Sequence, residues 1–270
     1  MKICRETCIF LCYDLAMKIL VCNDDGIDFK GLRTLVRVFS TIGDVYVAAP
    51  NGECSSNSHH LTIKGRVAYE RRDIPFAKEA YALWGTPADC VHMAMHYFFD
   101  ERFDLVVSGI NKGANVSTDI IYSGTIAAAR EAFIYHVPSM ALSLDSFTAD
   151  DYTVAAEYGR TIALKYLEAK DNSDYFLNVN VPCLEEKDIK GILVCDRIGE
   201  ILYEDSYTHT EEDGKDYIQI LPSRISYNGD RQDLRIDVAA LAHGYVSVSP
   251  LGNEHIDHKY IEDVTDMLKG

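Results

Sequence analysis

The sequence predicts an α/β fold: a parallel sheet with crossover helices on its faces, followed by a smaller C-terminal appendage. Three observations carry this. Buried-strand runs alternate with segments of helical period. The 270 residues are 47% hydrophobic and hold only 7 Pro, enough apolar material for an ordinary core and too much for a disordered chain. Polar loops rich in Asn, Asp, Ser and Gly follow several of the strands, where ligands collect in open parallel sheets.

The elements follow in order. KILVC (Lys18–Cys22) reads as a first strand, and the Asn23-Asp24-Asp25-Gly26 turn leads to an amphipathic helix over 31–39. VYVAA (45–49) is a second strand, stopped by Pro50 and followed by a polar loop over 51–60. A short strand at 81–83 precedes Gly85-Thr86-Pro87, where Thr86 can cap a helix carrying Pro87 at its first position. DLVVSGI (104–110) is the next buried strand, with a polar loop over 111–122 and a helix over 125–133. A strand at 140–143 and a longer helix over 151–167 complete the core. Beyond it, strands are expected at 176–181, 191–195 and 246–248. The stretch 203–221 alternates through an Asp213-Gly214 hairpin signal, and 257–268 is a terminal helix candidate. The expected division is an N-terminal extension without function (1–16), a core (17–170) and a C-terminal part (171–270) with sheet-completing strands and a hairpin.

Charge and cysteine usage narrow the function classes. The net charge of −16 disfavours long nucleic acids and anionic membrane surfaces, and no apolar run is long enough to span a bilayer. Residues 1–145 carry −3 and residues 146–270 carry −13, so the acidity belongs to the appendage half and leaves a mononucleotide-sized phosphate substrate admissible. Eight cysteines without a C-x-x-C pair read as reduced thiols of a cytoplasmic protein. Cys4, Cys8 and Cys12 would share one face if their segment is helical.

Three loops hold the candidate chemistry. Adjacent Asp24 and Asp25 after a buried strand repel each other, and a divalent cation is the natural way to keep both ionised; a helix cap is the other reading. The loop NGECSSNSHH (51–60) offers hydroxyls that suit a metal shell, an anion or plain solvent. The third runs from Ser108 through Asn111 and Asn115 to Tyr122-Ser123-Gly124-Thr125, and ends at a helix start that can cradle phosphate. His92 and His96 have zincin spacing, but Met93 replaces the required Glu, so they read as helix-face residues; His255 and His258 read as solvated. No G-x-S-x-G elbow, G-x-G-x-x-G or Walker loop is present.

Taken as an ordered set, NDDGI (23–27), AAP with its Ser-rich loop (48–60), GTPADCV (85–91), SGIN-x-G-x-N (108–115) and YSGT-x-A-A-A-x-E-A (122–132) resemble the SurE family of survival nucleotidases. LNVNVP (177–182) and GYVSVSPL (244–251) are similar to family segments too. The resemblance implies a Rossmann-like core and a metal-dependent phosphatase of nucleoside 5′- and 3′-monophosphates, with short polyphosphate as a further substrate. It implies one Mg²⁺ or Mn²⁺ per subunit on Asp24, Asp25, Ser55 and Asn111, with Ser56 the alternative to Ser55. Phosphate would lie against Asn115, Ser123, Gly124 and Thr125, and the chain would form a homodimer or homotetramer. In the family a basic residue usually precedes the ligand serine, where this chain has Cys54. Chemically, the cation would polarise phosphate and activate water, with Asp24 or Asp25 as base. The alternative is a non-enzymatic, Mg²⁺-binding receiver-like signalling module, which needs a phosphoacceptor Asp where this chain has Asn111. An RNA-binding role lacks a basic patch interleaved with aromatics.

Overall fold

The computed structural model describes residues 16–200, 203–224, 232–253 and 261–269. The readings made for Cys4, Cys8, Cys12, His255 and His258 lie outside these residues. Six strands form the parallel centre of a nine-stranded sheet. In chain order the elements are β1 (Lys18–Cys22), α1 (Lys30–Phe39), β2 (Asp44–Pro50), β3 (Tyr69–Arg72), β4 (Ala77–Leu83), α2 (Pro87–Met93) with a π-helical turn at Ala94–Phe98, β5 (Leu105–Lys112), α3 (Asp119–Tyr122) and α4 (Gly124–Ile134). They continue with β6 (Ser139–Asp145), α5 (Thr153–Glu168), β7 (Phe176–Pro182), a 3₁₀ turn at Glu186–Asp188, β8 (Ile192–Val194), β9 (Tyr203–Glu212), β10 (Lys215–Arg224), α6 (Asp237–Ala242), β11 (Val246–Leu251) and α7 (Ile261–Lys269).

The strand order is β3-β4-β2-β1-β5-β6-β7-β11-β8, antiparallel only where β3 meets β4 and β11 meets β7. From β1 the chain runs outward through β2 on one side and returns to start the other side with β5. The switch point of the sheet therefore lies between β1 and β5. Period-2 alternation sends successive side chains of one strand to opposite faces. Ile19 and Val21 join Val45, Val47, Leu105 and Val107 under the buried residues of α1 and α5. Leu20 and Cys22 join Tyr46, Ala48 and Val106 under Val91 of α2 and Ala128 and Ala132 of α4. Each fully buried Leu or Ile here stabilises by about 1.5–3 kcal/mol, which makes helices on both faces the stable arrangement.

Several boundaries differ from the sequence expectation. Pro50 does not stop β2 before itself, because its carbonyl accepts from Ile27 and its position pairs with Leu83. The strand expected at 81–83 begins at Ala77, and its edge partner β3 (YERR) is too charged and exposed to give a strand signal. The six-residue α6 is too short for a helical period to show. The hairpin is as expected: Asp213 and Gly214 have φ of 52° and 70°, the left-handed pair that a tight two-residue turn needs. Among the described residues, no helix is long and apolar enough to cross a membrane.

Candidate active site

The loops that follow β1 and β5 meet at the switch point. Asn23, fully buried, donates Nδ2 to the Gly26 carbonyl at 2.9 Å and so folds the NDDG turn, while its Oδ1 is buried without a partner. That turn sets Asp24 and Asp25 at the carboxyl end of β1. Asp24 is 6% exposed and accepts a 2.5 Å hydrogen bond from the Thr125 hydroxyl, at the start of α4. Burial pushes its carboxyl up, opposed by the hydroxyl and backbone of Thr125. Burial, then the charge of Asp24, pushes Asp25 up to about 7, although the Lys112 amide donates to its Oδ2 at 3.2 Å.

Helix α4 comes unusually close to Asp24. A Cβ on Gly124 would lie 2.9 Å from the Asp24 Cβ and 3.1 Å from its Oδ2, so glycine is what lets the helix start touch the carboxylate. Ser123 caps α4, its Oγ accepting from the Ile126 amide at 3.1 Å. On the opposite strand, Asn111 donates Nδ2 to the Gly113 carbonyl at 2.8 Å, which leaves its Oδ1 as an acceptor. The serine loop is tied on by the Cys54 amide, which donates to the Asp24 carbonyl at 2.7 Å. Ser55 is exposed and donates to Glu53 at 2.8 Å; Ser56, also exposed, has φ of 58°.

These atoms fit a hard divalent cation. Burial disfavours both carboxylates as anions, Asp25 also through the charge of Asp24, and the segments hydrogen-bonded to these two residues carry the Asn111 amide oxygen and the serine hydroxyls, oxygen donors of the kind Mg²⁺ and Mn²⁺ prefer. Among the described residues, no cluster of three His, Cys, Asp or Glu side chains is arranged to hold a metal, so a cation would depend on this mixed set.

Asn115 is brought near but sits deeper than a surface ligand, 6% exposed. Its Nδ2 donates to Ser143 at 3.0 Å, its amide donates to Asn180 Oδ1 at 2.7 Å, and its carbonyl accepts from Asn178 and Asn180. Sequence reasoning missed Asn178 and Asn180 as supports. Two Asn on one face of a buried strand were the available signal, because buried amides need partners. It also missed Asp237, fully buried in α6, which accepts from the Ser117, Gly199 and Val238 amides and pins the loop after β5 to the C-terminal part. His92 lies on a face of α2, and its Nδ1 pairs at 2.8 Å with the buried Glu131, because a carboxylate this enclosed needs hydrogen-bond partners.

Fold and site define a class: a doubly wound α/β protein with paired carboxylates and a helix N-terminus at its switch point. The family model for survival protein SurE matches residues 19–204. A protein of Heliobacterium modesticaldum named 5′-nucleotidase SurE is 37% identical over 94% of this chain and 93% of its own length. One of the same name from Chlorobaculum tepidum is 37% identical over 90% and 91%. The crystal structure of the SurE protein from Aquifex aeolicus superposes with a TM-score of 0.78 at 31% identity, covering 93% of this chain and 99% of that one. The chain therefore belongs to the SurE family.

Proposed function

We infer that the chain is a metal-dependent nucleotidase that hydrolyses nucleoside 5′- and 3′-monophosphates to nucleoside and phosphate, with short polyphosphate as a further substrate. The observation that carries this is the contact of the Asp24 carboxylate with the N-terminus of α4. A phosphate drawn to that helix end by its dipole meets two carboxylates, and the three anions are compatible only with a cation among them.

In this reading Asp24, Asp25, Asn111 and Ser55, or Ser56 in its place, hold one Mg²⁺ or Mn²⁺ per subunit. The bound cation supplies Lewis acidity toward phosphate and water. Ser123 donates its hydroxyl proton and the backbone at Gly124 and Thr125 lets phosphate approach the helix end, to steady charge on the transferring phosphoryl group, while the Thr125 hydroxyl keeps its hydrogen bond to Asp24 and orients that carboxylate. Asn115, held by Asn178, Asn180 and Ser143, fixes the loop that carries Asn111. One of the two aspartates takes the proton from the attacking water. The receiver-like alternative is not favoured, since the strand that would carry a phosphoacceptor Asp ends in Asn111-Lys112.

We assign catalysis to 17–170 and self-association to 171–270. The exposed Tyr207, Ile218 and Ile220 of the β9–β10 hairpin support a homodimer or homotetramer. A cytoplasmic location agrees with free thiols at Cys22, Cys54, Cys90, Cys183 and Cys195. Phosphate release from a panel of nucleoside monophosphates, in EDTA and with added Mn²⁺ or Mg²⁺, tests the activity and its metal. Turnover that survives EDTA would overturn it.

A further inference from the structure

Glu131 lies in α4 about 9 Å along the helix from Thr125, and its side chain is 6% exposed. A carboxylate so enclosed is destabilising unless both oxygens are satisfied. Both are: His59 Nε2 pairs with Oε2 at 2.7 Å, and His92 Nδ1 pairs with Oε1 at 2.8 Å. Burial opposes ionisation of Glu131, but the hydrogen bonds and charges of the two histidines outweigh it and hold the carboxyl below its ordinary range. The ring of His92 is set in turn by His96 and Tyr135, at centroid distances of 4.8 and 5.9 Å.

His92 is on α2, Glu131 on α4, and His59 on the loop that carries Ser55 and Ser56. That loop is conformationally costly. Ser56 and Ser58 have φ of 58° and 49°, in the left-handed region that disfavours a non-glycine residue. Such conformations persist where surrounding contacts impose them. On the upstream side the Cys54 amide bonds the Asp24 carbonyl, and the Ser58 amide bonds the Tyr122 carbonyl at 2.9 Å. The Ser58 hydroxyl donates to the Ile121 carbonyl of α3 at 3.1 Å, and among the described residues the His59 side chain ties the loop to α4 itself.

We propose that His59, locked onto Glu131 and through it to His92, is a positioning residue that holds the serine loop closed on α4 and so completes the cation site at Asp24 and Asp25. This rests on the reading of those aspartates as the cation site. Partners hydrogen-bonded to a metal ligand typically change metal affinity by about 10–100-fold, and His59, which acts through the loop backbone, is expected at the lower end of that range.

The full-length chain tests it in three forms: wild type, His59→Leu, which removes the donor, and His59→Gln, whose amide nitrogen can reach the place of Nε2. Calorimetric titration with Mn²⁺ gives affinity, and hydrogen exchange gives protection of the Cys54 and Ser58 amides. His59→Leu is expected to bind Mn²⁺ about tenfold more weakly, to lose protection at both amides, and to keep kcat at saturating Mn²⁺ within about threefold. His59→Gln should return affinity and protection to near wild type. Wild-type Mn²⁺ affinity and protection in His59→Leu would overturn the positioning role, as would a His59→Gln variant no better than His59→Leu. Absence of Mn²⁺ uptake by the wild type would instead overturn the cation site on which the role depends.

Discussion

The Thr125 hydroxyl donates to the Asp24 carboxylate at 2.5 Å, joining the end of β1 to the first turn of α4 across 101 residues of sequence. The switch point of the sheet thereby becomes one electrostatic unit: a buried acidic pair on one side and a positive helix end on the other. The packing of α2 and α4 on the same sheet face holds the two together.

Gly124→Ala probes that approach. Gly124 is the first residue of α4, where the interior preference for alanine over glycine carries little weight. The new Cβ would lie 2.9 Å from the Asp24 Cβ and 3.1 Å from Pro87 Cγ, and such overpacking costs about 1–3 kcal/mol. The cost therefore falls on stability as well as on function. The expected result is a lowered melting temperature with Mn²⁺ affinity and turnover reduced about tenfold or more, measured by calorimetry and phosphate release.

The Asp25 carboxyl carries a pH signature. Its folded value, pushed up to about 7 by burial and by Asp24, lies above its ordinary 3.8. The folded chain then binds more protons than the unfolded one between these values. Without metal, stability is highest below the lower value and is lost as pH rises through the upper one. In EDTA, the wild-type melting temperature should fall relative to Asp25→Asn as pH rises from about 4 to about 7. Mn²⁺ should reverse the loss with proton release near pH 6. Parallel pH profiles for the two proteins would count against the paired-carboxylate site.

Ser55 and Ser56 separate by backbone conformation. Ser56→Gly should stabilise the chain by about 1 kcal/mol, since its φ of 58° suits glycine, and should leave Mn²⁺ affinity unchanged. Ser55→Ala should weaken Mn²⁺ binding severalfold. The reverse pattern in calorimetric titrations would assign the ligand to Ser56.

The Asn178 and Asn180 supports predict a loss at a distance. Asn180→Leu removes the acceptor for the Asn115 amide and leaves that buried N–H unpaired, at a cost of about 1–3 kcal/mol. The expected readouts are a lower unfolding midpoint in urea and a raised KM for nucleotide. An unchanged KM would detach this strand from the site.

Most of the parallel core was legible because its signals are local: KILVC and LVVSGI are buried runs, and Thr86-Pro87 opens α2 with a capping box closed by Asp89. The aspartate pair and the Ser123–Thr125 helix start were legible for the same reason. The His59–Glu131–His92 clamp was not, since its members are separated by 72 and 39 residues and only folding brings them together. Strand β3 was hidden by its charge, which an edge strand tolerates because one face and one edge stay wet.

In the proposed function Asp24 holds a catalytic cation against the start of α4. Asp24→Asn, nearly identical in shape, should fold with an unchanged or raised melting temperature, because a disfavoured buried charge is gone. It should bind Mn²⁺ far more weakly in calorimetric titration and release phosphate from a nucleoside monophosphate about 10³-fold more slowly, about 4 kcal/mol of barrier. Wild-type Mn²⁺ affinity together with wild-type phosphate release in this variant would contradict the account.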